Sequence, residues 1–224
     1  FSAAANEFRK ALESLAMERI GGSPEEKQEF FEKAIVAHPD VFWMEGCPSP
    51  TVKNKWDKFN LKPNAVPKAR QPIPLSPFDD LRVEFHIEQN SYGKKLRNLE
   101  LTKGEPLPER STPVFVVDQD AKGLLGRLAC AYGQVNAAME QPAFPSADLQ
   151  RAFDLATGKR HHTVVDAIWG CSQFFLDEDT RKLLAICTRS GLYEWTRMPF
   201  GPVVAPAETQ SYVARNFGTL RNQK

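Results

Sequence analysis

The chain has 224 residues, enough for one domain with a real core, or one domain with an appendage. Its 42% hydrophobic and 25% charged residues are those of an ordinary globular protein and exclude a disordered or fibrous one. A formal net charge of +1 excludes the overall basic character that marks many nucleic-acid-binding proteins.

Phe8, Ala11, Leu12, Leu15, Ala16 and Ile20 recur at helical spacing and predict an amphipathic first helix that Gly21-Gly22 stops. Ser23-Pro24-Glu25-Glu26 reads as a capping box with proline in the first turn, and Phe30, Phe31, Ala34 and Ile35 give the apolar stripe of a second helix. The two form a helical hairpin whose stripes pack on protein. Glu7, Glu13 and Glu18 mix with Arg9, Lys10 and Arg19, unlike a transit peptide, and no signal-peptide apolar region is present. Beginning at Phe1 without a Met, the chain reads as a processed or excised piece.

From His38 to Pro77 regular structure fades, and LKPNAVPKARQPIPLSP reads as an extended strap, since each proline lacks a donor and restrains the residue before it. Leu81, Val83, Phe85 and Ile87 alternate with polar residues, the period of a strand, whereas Ser76-Pro77-Phe78-Asp79 is a helix start. The reading leans to a helix. PVFVV, Pro113 to Val117, predicts a strand, DQDAKG its turn and Leu124 to Tyr132 the returning strand of a hairpin. Ser146 predicts a cap for a short helix, Ala147 to Thr157, with Gly158 behind it.

A buried strand, Thr163 to Val165, is predicted to deliver Asp166. Phe174 to Leu176, a polar turn at Asp177 to Thr180, an apolar run from Lys182 to Thr188 and the segment Leu192 to Met198 follow, and Pro199-Phe200-Gly201 leads into a helix. A carboxylate at the end of an apolar strand, with a glycine opening a helix further on, is how a metal-dependent nucleotidyl transferase could present a cation ligand beside a pocket. His161 and His162, adjacent on the chain, point to opposite faces of a strand and do not share one ion. Cys47, Cys130, Cys171 and Cys187 lie far apart without a Cys-x-x-Cys pair, which predicts free thiols in an intracellular, reducing setting and no zinc site. Apolar runs are too short for a membrane span. After Asp179, seven cations (Arg181, Lys182, Arg189, Arg197, Arg215, Arg221, Lys224) face two acids, Glu194 and Glu208, so this end could meet nucleic acid through phosphate.

The order Asp166, GLYEWTRMPFG, APAETQ resembles the palm of reverse transcriptases of gypsy-type LTR retrotransposons. PVFVV and RLACAYGQVN resemble the fingers of the same family, where an Arg-Leu-x-x-x-Tyr-x-x-x-Asn run places Arg127, Tyr132 and Asn136. The resemblance spans roughly residues 30 to 217. It implies an α/β (α+β) fold, with residues 1–60 a helical hairpin and extended lead-in and residues 61–224 reverse-transcriptase-like fingers and a partial palm. It implies that Arg127 lies against a nucleotide triphosphate, by bidentate contact with phosphate oxygens. Asp166 matches the first metal-binding aspartate, Phe200 and Gly201 border the nucleotide pocket, and Cys171 stands where the family has an aromatic under the sugar.

Departures accompany the match. Ala131 and Gly133 replace an Asp and an Arg, acids at Asp118 and Asp120 stand where the family is lysine-rich, and Val204 and Glu208 replace an Asn and an aromatic. The family's Tyr-x-Asp-Asp hairpin has no counterpart, since no aspartate follows Asp179. One aspartate does not hold two Mg2+ ions, each of which prefers octahedral oxygen ligands. The expectation is therefore a reverse-transcriptase-like fragment, catalytically inactive alone and without a cofactor of its own, serving as a binding or structural subunit whose open palm sheet is covered by other protein chains. The alternative is the N-terminal part of an active RNA-directed DNA polymerase, with Mg2+ bound once another segment or chain completes the site.

Overall fold

The structure, a computed structural model, describes residues 3–38, 41–42, 49–52, 56–99, 108–141, 149–159, 162 and 164–217. It divides into two compact units, Phe1–Pro48 and Ser49–Lys224.

In the first unit, helix α1 (Ala3–Arg19) is followed by α2 (Pro24–Phe30), which widens into a π-helical turn, Phe31–Val36. The capping box forms as its residues dictate: Glu26 N–H donates to Ser23 Oγ at 3.2 Å and Ser23 N–H donates to Glu26 Oε2 at 2.8 Å. Two orphan donors at the helix start are thereby satisfied. Phe31 and Ile35 are buried with Leu12, and Ile20, Val36 and Phe42 pack around them, so the expected helical hairpin has a small core.

The second unit begins earlier than the expected boundary at residue 61. Its lead-in is bonded to it already: Val52 N–H donates to Gln173 O at 2.8 Å, β1 (Trp56–Asp57) pairs in parallel with β5 (Phe175–Leu176), and Phe59 N–H donates to the buried Thr180 Oγ1 at 3.0 Å. The proline-studded stretch beyond has little ladder to join, and it crosses by single bonds such as Lys62 N–H to Ala138 O, 2.8 Å, and Arg70 N–H to Ser111 O, 3.1 Å.

Residues 81–87 form part of α3 (Pro77–Tyr92), capped by Ser76, whose hydroxyl oxygen accepts from Asp79 N–H. Val83 and Ile87, four apart, are buried, whereas Leu81 and Phe85 are exposed. The alternating apolar set is thus split by a 3.6-residue period, and the cap decides between the two readings.

A mixed sheet has the order β2-β7-β6-β3-β4. β3 (Thr112–Val117) pairs antiparallel with β4 (Arg127–Cys130) and parallel with β6 (Ile186–Thr188); β7 (Gly191–Trp195) runs antiparallel to β6, and β2 (Leu96–Asn98) antiparallel to β7. This is the expected α/β character. α3 packs on β2 and β3, and the core gathers Val83, Ile87, Val114, Tyr132, Ile186 and Trp195. Across β2 and β7 the register pairs Arg97 with Glu194, and the guanidinium bonds the buried carboxylate at 2.5 Å.

Three local expectations are corrected. The polar stretch at Asp177 is a helix start, not a hairpin turn: Asp177 accepts from Thr180 N–H at 2.9 Å and caps α6 (Glu178–Leu183). The strand returning from the fingers turn is shorter than Leu124 to Tyr132; Asp120–Leu125 is 3-10 helical with a kink at Gly123, and α4 (Gly133–Ala138) starts where the strand was expected to run out. The strand before Asp166 is not formed by its described residues. Val164 and Val165 are 91% and 85% exposed and lie in irregular backbone, because an apolar run becomes a strand only when a neighbour takes up its hydrogen bonds, and no described strand does. α5 (Leu149–Ala156) matches the expected short helix, with Ser146 outside the described residues, and α7 (Ala205–Phe217) matches the helix after Pro199-Phe200-Gly201. Among the described residues no helix is long and apolar enough to cross a membrane.

Gly126 closes the fingers turn at φ 58°, and a Cβ there would sit on the Arg82 guanidinium, 2.6 Å from Val117 O and 2.8 Å from Val116 Cγ1. Gly126→Ala should therefore destabilise the second unit by about 1–3 kcal/mol from backbone strain alone, before the clash is added. Urea unfolding followed by tryptophan fluorescence checks this, and an unchanged midpoint would refute it.

Candidate nucleotide site

The site begins at the end of the turn that Gly126 closes. Register pairs Arg127 with Val117 at the outer end of the hairpin, so the first residue of β4 carries an exposed cation at the sheet's rim. The acids of the turn are not free to oppose it equally. Asp118 is held by Arg82 at 2.6 Å, and Arg82 also bonds Asp79 at 2.9 Å, tying the turn to the start of α3.

β4 leads inward to Tyr132, which is buried and donates its hydroxyl proton to Leu184 O at 2.9 Å. One turn later on α4, Asn136 faces the loop before α7. Its Nδ2 donates to Gly201 O at 3.0 Å and its Oδ1 accepts from Val203 N–H at 2.9 Å. Gly201 has φ 113°, and a Cβ there would lie 3.1 Å from Tyr132 Cδ2. Glycine is needed for the backbone angle and for this close approach. Met198, fully buried, anchors the other side of the loop through its N–H to Phe174 O at 3.0 Å.

Between these anchors Phe200 is left 48% exposed, and the Arg127 guanidinium carbon stands 4.4 Å from the centre of its ring. A cation held on an aromatic face keeps its outer N–H groups available to a phosphate oxygen. Arg127, Phe200 and Gly201 are thus brought together.

Cys171 lies in the 3-10 turn Gly170–Gln173, half-buried, with Sγ 3.7 Å from Thr209 Oγ1 on α7. Asp166 is exposed in irregular backbone. Among the described residues no three His, Cys, Asp or Glu side chains converge as a metal-binding group. Asp166 therefore supplies one carboxylate, and the described residues do not fit a two-ion centre.

Three residues beyond Asp166, Trp169 adopts left-handed backbone, φ 47°, with Lys95 Nζ 3.6 Å from its ring centre. Nearby, the buried Arg197 stacks on Phe175 and donates to Pro50 O and Ser172 O at 3.2 and 3.3 Å. Burial pulls the Lys95 pKa down, with the Arg197 charge adding to it, and burial pulls Arg197 down as well. Of the basic C-terminal residues, Arg181 donates to Leu176 O at 2.9 Å, Lys182 pairs with Glu178, Arg189 pairs with Asp80, Arg197 is interior and Arg215 is exposed on α7; Arg221 and Lys224 lie outside the described residues.

The carboxamide clamp of Asn136 was not assigned a role from sequence. The signal was present, since Asn136 follows Tyr132 by four residues and one helical turn brings both onto one side. The Lys95–Trp169 pair had no such signal, its members being far apart on the chain.

The arrangement of sheet, hairpin and palm helices is a reverse-transcriptase-like fold. It superposes on the foamy viral protease-reverse transcriptase in complex with RNA/DNA hybrid with a TM-score of 0.68, at 15% identity, covering 96% of this chain and 27% of that one. For the selenomethionine-labelled prototype foamy virus protease-reverse transcriptase the TM-score is 0.63 at 17% identity, over 96% of this chain and 27% of that one. In sequence, the chain is 26% identical to the enzymatic polyprotein of Cauliflower mosaic virus (strain NY8153) over 224 residues, 96% of this chain and 32% of the polyprotein. It is 30% identical over 114 residues to the retrovirus-related Pol polyprotein from transposon 412 of Drosophila melanogaster, which is 51% of this chain and 9% of that protein. No protein-family model matches. The chain spans about a third of the length of the cauliflower mosaic virus polyproteins it matches.

Two measurements test the packing behind the site. Tyr132→Phe removes the bond to Leu184 O and should cost roughly 1–3 kcal/mol in urea unfolding, the expense of an unmet buried acceptor. Burial pushes the Cys130 thiol up to about 12, so at pH 8 almost no thiolate forms there. Iodoacetamide at that pH should leave Cys130 unmodified in the folded protein and alkylate it after denaturation, as peptide mass mapping will show.

Proposed function

We propose that the chain is the fingers and partial palm of a retroelement reverse transcriptase, of the gypsy-type LTR class, and that alone it binds nucleotide and nucleic-acid phosphate without polymerising. The observation that carries this reading is the Arg127–Phe200 stack beside Gly201 on a reverse-transcriptase-like fold. It offers a cation and a flat aromatic-glycine surface where a triphosphate and its sugar would lie. Asp166 is the single carboxylate for a metal on this reading, and Cys171 replaces the aromatic beneath the sugar.

Catalysis by two ions requires converging carboxylates, and among the described residues no three His, Cys, Asp or Glu side chains converge. The chain therefore acts as a binding or structural component, in an intracellular setting consistent with its free thiols Cys130, Cys171 and Cys187. Its sheet edges meet other protein chains, since unpaired strand edges favour pairing. A second reading is favoured by the relatives' description as enzymatic polyproteins. On it, Mg2+ binds to Asp166 together with carboxylates of a further segment, and the assembled protein is an RNA-directed DNA polymerase.

Primer extension on an RNA template with Mg2+ or Mn2+ separates the readings. This chain alone should give no product; incorporation that vanishes in Asp166→Ala would overturn the first reading in favour of the second. Affinity for an RNA/DNA hybrid should fall as salt rises, and Arg127→Ala should flatten that dependence by about one counterion. A near-zero salt slope for the unaltered chain would refute phosphate binding.

A further inference from the structure

Arg127 and Phe200 come from different parts of the chain, one from the rim of a hairpin and one from an exposed loop. Neither is fixed by its own element. Arg127 is the first residue of its strand, and Phe200 is about half exposed between a buried Met198 and a glycine of positive φ. The hydrogen bonds that constrain the loop at Gly201 and Val203 come from one side chain, Asn136, whose donor and acceptor are both used, at 3.0 and 2.9 Å. Asn136 is itself fixed by α4, through its backbone N–H to Tyr132 O at 2.7 Å, and α4 follows directly from the strand that carries Arg127.

We infer that Asn136 is the positioning residue of the nucleotide site: its carboxamide sets the Gly201–Val203 backbone so that the Phe200 ring lies under the Arg127 guanidinium. A carboxamide is the side chain that suits this, because it offers a donor and an acceptor in one plane to a carbonyl and an N–H two residues apart. Alanine offers neither. An aspartate keeps the acceptor facing Val203 N–H but loses the donor facing Gly201 O. Asn136 touches no reacting group, so its effect passes through Phe200 to Arg127. The inference rests on the nucleotide reading only for its functional consequence, since the geometry stands without a ligand.

The test has one arm of each kind. In the full chain without ligand, the Arg127 Nε–Hε proton should show an upfield ring-current shift by NMR. Phe200→Ala should abolish that shift, Asn136→Ala should abolish it too, and Asn136→Asp should leave it partly in place. An Arg127 signal unchanged in both Asn136 variants overturns the inference. With mant-dATP as the probe, Asn136→Ala and Phe200→Ala should each lower affinity roughly tenfold, and the double variant should be no weaker than either single. Additive losses would mean that the two residues act independently, and would also overturn it. If the unaltered chain does not bind mant-dATP while the Arg127 signal still follows Asn136, the nucleotide reading fails and the positioning role stands.

Discussion

Three of the pieces that position the site meet at Tyr132. Its hydroxyl is held by the Leu184 carbonyl deep in the second unit, burial drives its pKa well above the ordinary phenol value, and its ring edge is the surface against which Gly201 rests. A buried phenol needs a partner for its proton, so the ring has one orientation and little freedom to leave it. The strand that ends two residues before Tyr132 carries Arg127, the helix that starts just after it carries Asn136, and the loop pressed on it carries Phe200. One satisfied polar group in an apolar core thus sets the register of three separate pieces of chain.

Charge is arranged to release some cations and hold others. Arg82 ties Asp118 of the fingers turn to Asp79 at the start of α3, so one acid of that turn is already paired. Arg197, which the sequence groups with the basic C-terminal residues, is instead interior, its charge spread over the Phe175 ring and two backbone carbonyls that include Pro50 O of the lead-in. A count of lysines and arginines does not distinguish these roles, since the difference lies in burial and in partners distant along the chain.

Much of the fold could be read from local chemistry. Ser23 with Glu26, Ser76 with Pro77, and the PVFVV strand each act through neighbours within a few residues, and each formed as its residues require. The readings that failed depended on what the segment would meet. Val164 and Val165 look like strand residues but find no described strand to pair with, and the Asp177 stretch looks like a turn until Thr180 N–H donates to the Asp177 carboxylate and makes it a cap. Within the site, the identities of Arg127, Phe200 and Gly201 followed from the resemblance, whereas their contact did not, because it joins residues more than seventy positions apart.

By itself the sequence determined the caps at Ser23 and Ser76 and the PVFVV strand of the hairpin, because these depend on residue identity and short-range spacing, while the α/β character followed from the resemblance. Tertiary structure alone decided that Arg127 stacks on Phe200, that Asn136 clamps the loop beneath it, that Arg197 is interior, and that Asp166 is exposed. Those outcomes turn on which distant groups share a hydrogen bond or exclude water together, and only the folded chain brings such groups within reach of one another.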